Sequence, residues 1–118
     1  MNVWVHVYDS VEAMRRAARD FNGSDCASAL GVTQAWADEE GRATAVVVRL
    51  ARGHLGTQVV THEMHHASTA LYGAAVGNRV SRAAHLNHYN EAFAHLFSDL
   101  CHGLVSRLYA LGFYGTGC

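Results

Sequence analysis

The sequence lacks lysine. Its nine basic residues, all arginine, stand against ten acidic residues and give a formal net charge of -1. Nucleic-acid-binding domains normally carry a basic excess on one face. Arg15, Arg16 and Arg19 do cluster, but charge runs of this kind usually form the solvated side of an amphipathic helix. We therefore expect no nucleic-acid partner.

Cysteine is scarce as well. The three cysteines, Cys26, Cys101 and Cys118, lie far apart, and no Cys-x-x-Cys pair occurs. This pattern argues against both a disulfide framework and a zinc site built from thiolates. Reduced thiols in an intracellular protein are the simplest interpretation.

Long hydrophobic runs are missing too. No segment approaches the roughly 20 apolar residues of a membrane-spanning helix. Residues 1–8 lack the basic region and the long apolar stretch of a signal peptide. These absences predict a soluble, cytoplasmic protein with no membrane partner.

The chain has 118 residues, half of them hydrophobic, which suits a single domain over residues 1–118 with an ordinary core. Alternation in residues 3–8 predicts a strand. A helix should begin after Asp9 or Ser10 and end at Asn22-Gly23. Residues 29–37 and 43–50 read as the two strands of a hairpin, with turn residues at 38–41.

The second half of the chain predicts two helices. The first should run from Thr57 to about Tyr72, followed by a loop bracketed by Gly73 and Gly77. The second should run from about His88 to about Leu111. The order β-α-β-β-α-α predicts an α+β domain in which a small three-stranded sheet packs against helices.

Histidine is unusually abundant in this chain. Six of its nine histidines fall between residues 62 and 95: His62, His65, His66, His85, His88 and His95. Histidine is the commonest metal ligand in proteins. This clustering directs attention to a metal site.

Residues 61–67 read Thr-His-Glu-Met-His-His-Ala. On a helix, His62 and His66 project from one face about one turn apart, so both can bind one zinc ion. Glu63 is offset by about 100°, where a carboxylate can take a proton from water. Apolar residues lie roughly opposite the two histidines, at Val60, Met64, Ala67 and Leu71. The simpler alternative is an exposed histidine-rich helix face that binds no metal.

A catalytic zinc ion usually has three protein ligands and one open position. The downstream candidates for the third ligand are Glu91, His88 and His85. His65 can also replace His66, because residues three apart on a helix share a face. The residues alone leave these alternatives open.

His62-Glu63-x-x-His66, followed by Asn90-Glu91-Ala92, resembles the gluzincins, the thermolysin-like zinc peptidases. More narrowly, residues 44–112 are similar to the minimal gluzincins of small phage and prophage proteins. The resemblance implies a zincin-like fold with one Zn²⁺ per chain, held by His62, His66 and Glu91. It implies that Glu63 is the general base, and that the strand containing residues 46–48 is the sheet edge with which a peptide pairs.

The last helix has a predicted apolar side and a polar side. The apolar side comprises Phe93, Leu96, Phe97, Leu100, Leu104 and Leu111. On the polar side, His95 and Asp99 are candidates to support the metal ligands, because ligating histidines usually donate their second N–H to a neighbouring group. His65 and His88 are further candidates for this supporting role.

Together these features predict a zinc-dependent peptidase that acts on a peptide or protein substrate. Glu63 would accept a proton from the attacking water and pass it to the leaving amine. The alternative function is a non-catalytic, zinc-binding interaction module on the same fold. The sequence leaves the substrate and the oligomeric state open.

Overall fold

The computed structural model describes residues 2–23, 26–76 and 86–114, apart from the side chains of residues 74–76, 86–92 and 94. Its elements, in chain order, are β1 (Asn2–Tyr8), α1 (Val11–Asn22), β2 (Gly31–Ala37), β3 (Ala43–Ala51), α2 (Thr57–Val76) and α3 (Leu86–Ala110). The predicted α+β class and the predicted order of strands and helices are confirmed.

The three strands form one mixed sheet in the order β1-β3-β2. Strand β1 runs parallel to β3, and β2 pairs with β3 as an antiparallel hairpin. The prediction that residues 46–48 form a sheet edge is therefore wrong. Val46, Val47 and Val48 are fully buried in the central strand, and a continuous valine run is typical of a strand covered on both faces. The two edges are β1 and β2.

Helix α1 covers one face of the sheet. Ser10 caps it, with its hydroxyl oxygen accepting from Ala13 N–H at 3.1 Å, as N-cap serines do. Gly23 ends it in the left-handed conformation, with φ 76°, which suits glycine. Met14 and Ala18, on the side of α1 that faces the sheet, are buried. Both predicted ends of α1 are confirmed.

Helices α2 and α3 cover the opposite face and enclose the main core. That core comprises Val46, Val48, Leu50, Leu55, Val60, Met64, Ala67, Leu104 and Leu108. Val60, Met64 and Ala67 belong to the apolar stripe predicted for the motif helix. Their burial fixes the rotation of α2, and it leaves the histidine side of the helix outside the core.

Three helix boundaries differ from prediction, and one of them is the start of α3, at Leu86 rather than about His88. Helix α2 continues through Gly73 to Val76, because Gly73 does not adopt a positive φ and so does not end the helix. Helix α3 ends at Ala110, and Leu111 leads into a turn at Gly112, which has φ 79°. Leu111 is consequently 70% exposed and does not join the apolar side. Within the described part of the chain, none of the helices is long and apolar enough to cross a membrane.

Candidate metal centre

His62 and His66 point towards each other from adjacent turns of α2. Their Nε2 atoms lie 3.2 Å apart, and their ring centroids are 4.8 Å apart. Two nitrogens that each bind one tetrahedral zinc ion at 2.0–2.1 Å lie about 3.3 Å from each other. The pair therefore has the separation that a shared metal ion requires.

The same separation also allows one imidazole N–H to donate to the other ring nitrogen. In that arrangement one proton lies between the two Nε2 atoms, and a metal ion that binds both nitrogens would take the place of this proton. The His62 side chain is 67% exposed, so an ion can reach the pair from solvent. The donor set, two imidazoles on one helix face, suits zinc and related transition metals.

Glu63 lies beside the histidine pair but in a different environment. Its side chain is only 6% exposed, and its Oε2 lies 4.0 Å from His62 Nε2. The Thr33 hydroxyl on β2 donates to Oε1 at 2.7 Å. Oε1 is thus occupied by a hydrogen bond, and Oε2 is the oxygen nearer to His62. This geometry suits a carboxylate that takes up a proton at Oε2.

Gly31, the first residue of β2, leaves the space that Glu63 occupies. A Cβ atom at this position would lie 2.9 Å from Glu63 Cγ and 3.2 Å from Oε2. Real Cβ atoms essentially never approach another heavy atom within 3.0 Å. Gly31 and Thr33 together therefore determine where the Glu63 carboxylate lies.

Gly31→Ala is expected to displace Glu63. The added methyl group should lower the free energy of unfolding by about 1–3 kcal/mol, as overpacking does. A carboxylate shift of about 1 Å would lower by roughly 100-fold the rate of any reaction in which this carboxylate transfers a proton. Zinc affinity should change little, because the three atoms nearest to the new Cβ belong to Glu63 and Val59 and not to either histidine. Denaturant unfolding, a turnover assay and a zinc titration measure these three effects.

Gly73→Ala is the matched control, since an added Cβ there meets no described atom within 4 Å. Near the C-terminal end of α2, this change should leave turnover unaltered and stabilise the helix slightly. Equal turnover in Gly31→Ala and Gly73→Ala would contradict the role assigned to Gly31.

The histidine pair and Glu63 line an open cleft between β2 and α2, which we call the β2–α2 cleft. Its volume is about 540 Å³, and its walls comprise Cys26, Ser28, Ala29, Gly31, Val32, Thr33, Gln34, Ala35, His62, Glu63, His66, Thr69 and Ala70. Small and uncharged side chains dominate the β2 wall. Glu63 is the only acidic residue among these lining residues.

Strand β2 is held in place from its other face. Gln34 donates to the Ala18 carbonyl of α1 at 2.8 Å and accepts from Arg49 Nε of β3 at 2.8 Å. Arg49 is 7% exposed, and it also donates to the Tyr8 hydroxyl at 2.7 Å. These hydrogen bonds connect β2 to α1 and β3, and they fix the backbone position from which Thr33 reaches Glu63.

His65 lies on a different side of α2. Its ring packs edge-on against Phe93 and Phe97 of α3, with centroid distances of 5.7 and 6.1 Å. Its centroid is 6.1 Å from that of His66, against 4.8 Å for the His62–His66 pair. The geometry favours His62 and His66, rather than His65, as the two ligands from α2.

The predicted candidates for the third ligand fall outside the described side chains. Glu91 and His88 belong to α3, but their side chains are not described, and His85 lies outside the described residues altogether. Among the described residues, no group of three or more His, Cys, Asp and Glu side chains is placed to hold a metal ion. The structure therefore brings together two of the three predicted ligands and the predicted base.

Two of the candidate supporting residues on α3, His95 and Asp99, are exposed. Asp99 lines a groove between β1 and α3 and is absent from the walls of the β2–α2 cleft. His95 is likewise absent from those walls. The structure does not bring Asp99 to His62.

Comparisons with family models, curated proteins and solved structures find no match for this chain. The resemblance to the gluzincins therefore rests on the two sequence motifs alone. The function must be argued from the site.

Sequence reasoning missed Thr33 and Gly31. Both lie on β2, about 30 positions before Glu63, and neither forms a motif with it. A glycine at the start of a strand can signal a close approach of another group, and this is the one signal that the sequence offered. Cys26, interpreted only as a reduced thiol, also lines the cleft and forms no disulfide.

Proposed function

We propose that this protein is a zinc-dependent peptidase whose site lies in the β2–α2 cleft. The observation that carries the proposal is the 3.2 Å separation of His62 Nε2 and His66 Nε2, with Glu63 Oε2 4.0 Å from His62. Two imidazole ligands and a nearby carboxylate that does not bind the metal are among the groups that hydrolysis at a zinc centre uses.

His62 and His66 would hold the ion, with a third ligand from α3, for which Glu91 is the leading candidate. When bound, zinc supplies a positive charge that polarises a carbonyl group and acidifies water. The other steps of the proposed hydrolysis depend on side chains of this protein.

Glu63 has the role of general base in this proposal. Its Oε2 accepts a proton from the attacking water and then donates it to the nitrogen of the leaving amine. The hydrogen bond from Thr33 to Oε1 keeps the carboxylate oriented during both transfers. The Glu63 side chain is only 6% exposed, which limits the access of competing water.

Strand β2 gives the substrate a place to bind. It is an edge of the sheet, and residues 31–35 line the cleft beside the histidine pair. An extended peptide can pair with such an edge through main-chain hydrogen bonds. This proposal moves peptide pairing from β3, where the resemblance to the gluzincins placed it, to β2. The small side chains of the β2 wall leave the substrate backbone room to approach.

Cleavage of a peptide mixture tests the proposal. Zinc-loaded protein should generate new peptide N-termini detectable by mass spectrometry, a chelator should abolish them, and added zinc should restore them. Protein that binds zinc but produces no new termini would favour the alternative, a non-catalytic zinc-binding interaction module.

A further inference from the structure

A second surface lies on the other side of α2. The groove between β1 and α3, which we call the β1–α3 groove, has a volume of about 540 Å³ and shares no lining residue with the β2–α2 cleft. Its walls comprise Val3, Trp4, Val5, Val7, Met64, Asp99, Leu100, Gly103, Leu104, Arg107, Leu108, Leu111 and Phe113. Trp4 is 52% exposed, and Leu111 is 70% exposed. Large hydrophobic side chains at the rim of an apolar groove mark an interaction surface.

Helix α3 presents a regular pattern along this groove. Asp99, Gly103 and Arg107 follow one another at intervals of one turn, and all three are exposed. Neither charged residue forms an ion pair with another residue in the described part of the chain. Opposite charges thus lie at equal distances on either side of a glycine.

Gly103 needs a separate explanation. It lies inside α3, has no positive φ, and an added Cβ would meet no described atom within 4 Å. Glycine weakens a helix at such a position, and no turn or contact within the described part of the chain requires it here. A glycine on an exposed helix face allows a second backbone to approach closely.

We propose that a second copy of this chain occupies the β1–α3 groove, with the two α3 helices antiparallel about a two-fold axis at Gly103. In that arrangement Asp99 of each copy lies opposite Arg107 of the other, because both residues are four positions, or about 6 Å, from Gly103. A two-fold interface must be self-complementary, and the acid–glycine–base pattern meets this condition.

A dimer of standard size would bury about 800 Å² of each copy, about a tenth of its 7641 Å². Trp4 and Leu111 supply apolar area at the rim, and the ion pairs set the register. The β2–α2 cleft stays open in the dimer, so this inference is independent of the proposed function.

Charge reversal tests the dimer. Sedimentation of the wild-type protein at about 100 µM should give the mass of a dimer. Asp99→Arg and Arg107→Asp should each weaken the dimer at least about tenfold, because each places like charges opposite one another. An equimolar mixture of the two variants should associate again, since every facing pair is then opposite in charge. The double variant Asp99→Arg/Arg107→Asp should dimerise as the wild type does.

Asp20→Arg is the matched control, because Asp20 is an exposed acid on α1, away from the groove. It should leave the dimer unchanged, and circular dichroism should show that all variants remain folded. A monomeric wild type, single variants that dimerise normally, or a mixture that stays monomeric would each overturn the proposal.

Discussion

Replacing His62 or His66 with alanine is expected to weaken zinc binding by more than about 100-fold, and peptide cleavage should fall with it. Loss of a group that merely supports a ligand costs about 10–100-fold, and loss of the ligand itself should cost more. Each variant leaves a single imidazole on this face of α2. Competition with a coloured chelator measures the affinity. The fold should survive, since both side chains are exposed.

His65→Ala is the control for this pair. It removes an imidazole from the same helix, but His65 packs against Phe93 and Phe97 rather than facing the pair. Zinc affinity should therefore stay close to that of the wild type, with a modest loss of stability at the α2–α3 contact. If His65→Ala lost zinc while His66→Ala retained it, the ligand assignment would have to be changed to His62 and His65.

Glu63→Gln is expected to retain zinc and to lose nearly all turnover. Glutamine keeps the size of the side chain and can still accept the Thr33 hydrogen bond, but it cannot take up a proton. General acid–base catalysis contributes about 10²–10⁴-fold to the rate, so kcat should fall by that factor. Zinc content and kcat, measured on the same preparation, separate this effect from loss of the metal.

A second substitution checks that the loss arises from proton transfer. Thr33→Val removes the hydroxyl that holds Glu63 Oε1 and keeps the carboxylate itself. Its kcat should lie between those of the wild type and Glu63→Gln, with zinc unchanged. If Glu63→Gln cleaved peptides as fast as the wild type, Glu63 would not be the base.

Local chemistry explains why much of the fold was predictable. The capping serine at position 10 and the glycine at position 23 act within a few residues of the helix ends that they define. The β2–β3 hairpin likewise depends on its own short turn. The spacing of His62, Glu63 and His66 is a local helical property, so their convergence on one side of α2 could be predicted from the sequence.

Contacts between distant segments could not be predicted from the sequence. Strand β1 pairs with β3 rather than with β2, and this pairing makes β3 central and β2 the edge beside the cleft. The alternation of residues within a strand does not indicate which other strand it pairs with. The Thr33–Glu63 hydrogen bond and the space left by Gly31 depend on the same pairing, so they emerged only with the sheet order.

The position of Asp99 also depended on packing that helical spacing does not show. Helical spacing placed it on the polar side of α3, and it is indeed exposed. Which part of the molecule that side faces depends on how α3 packs against α2 and β1. The packing places Asp99 in the β1–α3 groove, where it lies in line with Gly103 and Arg107 instead of beside the histidine pair.

Elemental analysis of untagged protein, purified without added metal, tests the central claim most directly. The account predicts about one zinc ion per chain in the wild type, and a reduced content in Glu91→Ala if α3 supplies the third ligand. A wild-type protein that contains no zinc, and takes up none after incubation with it, would contradict the account. His62 and His66 would then be an exposed imidazole pair that shares a hydrogen bond.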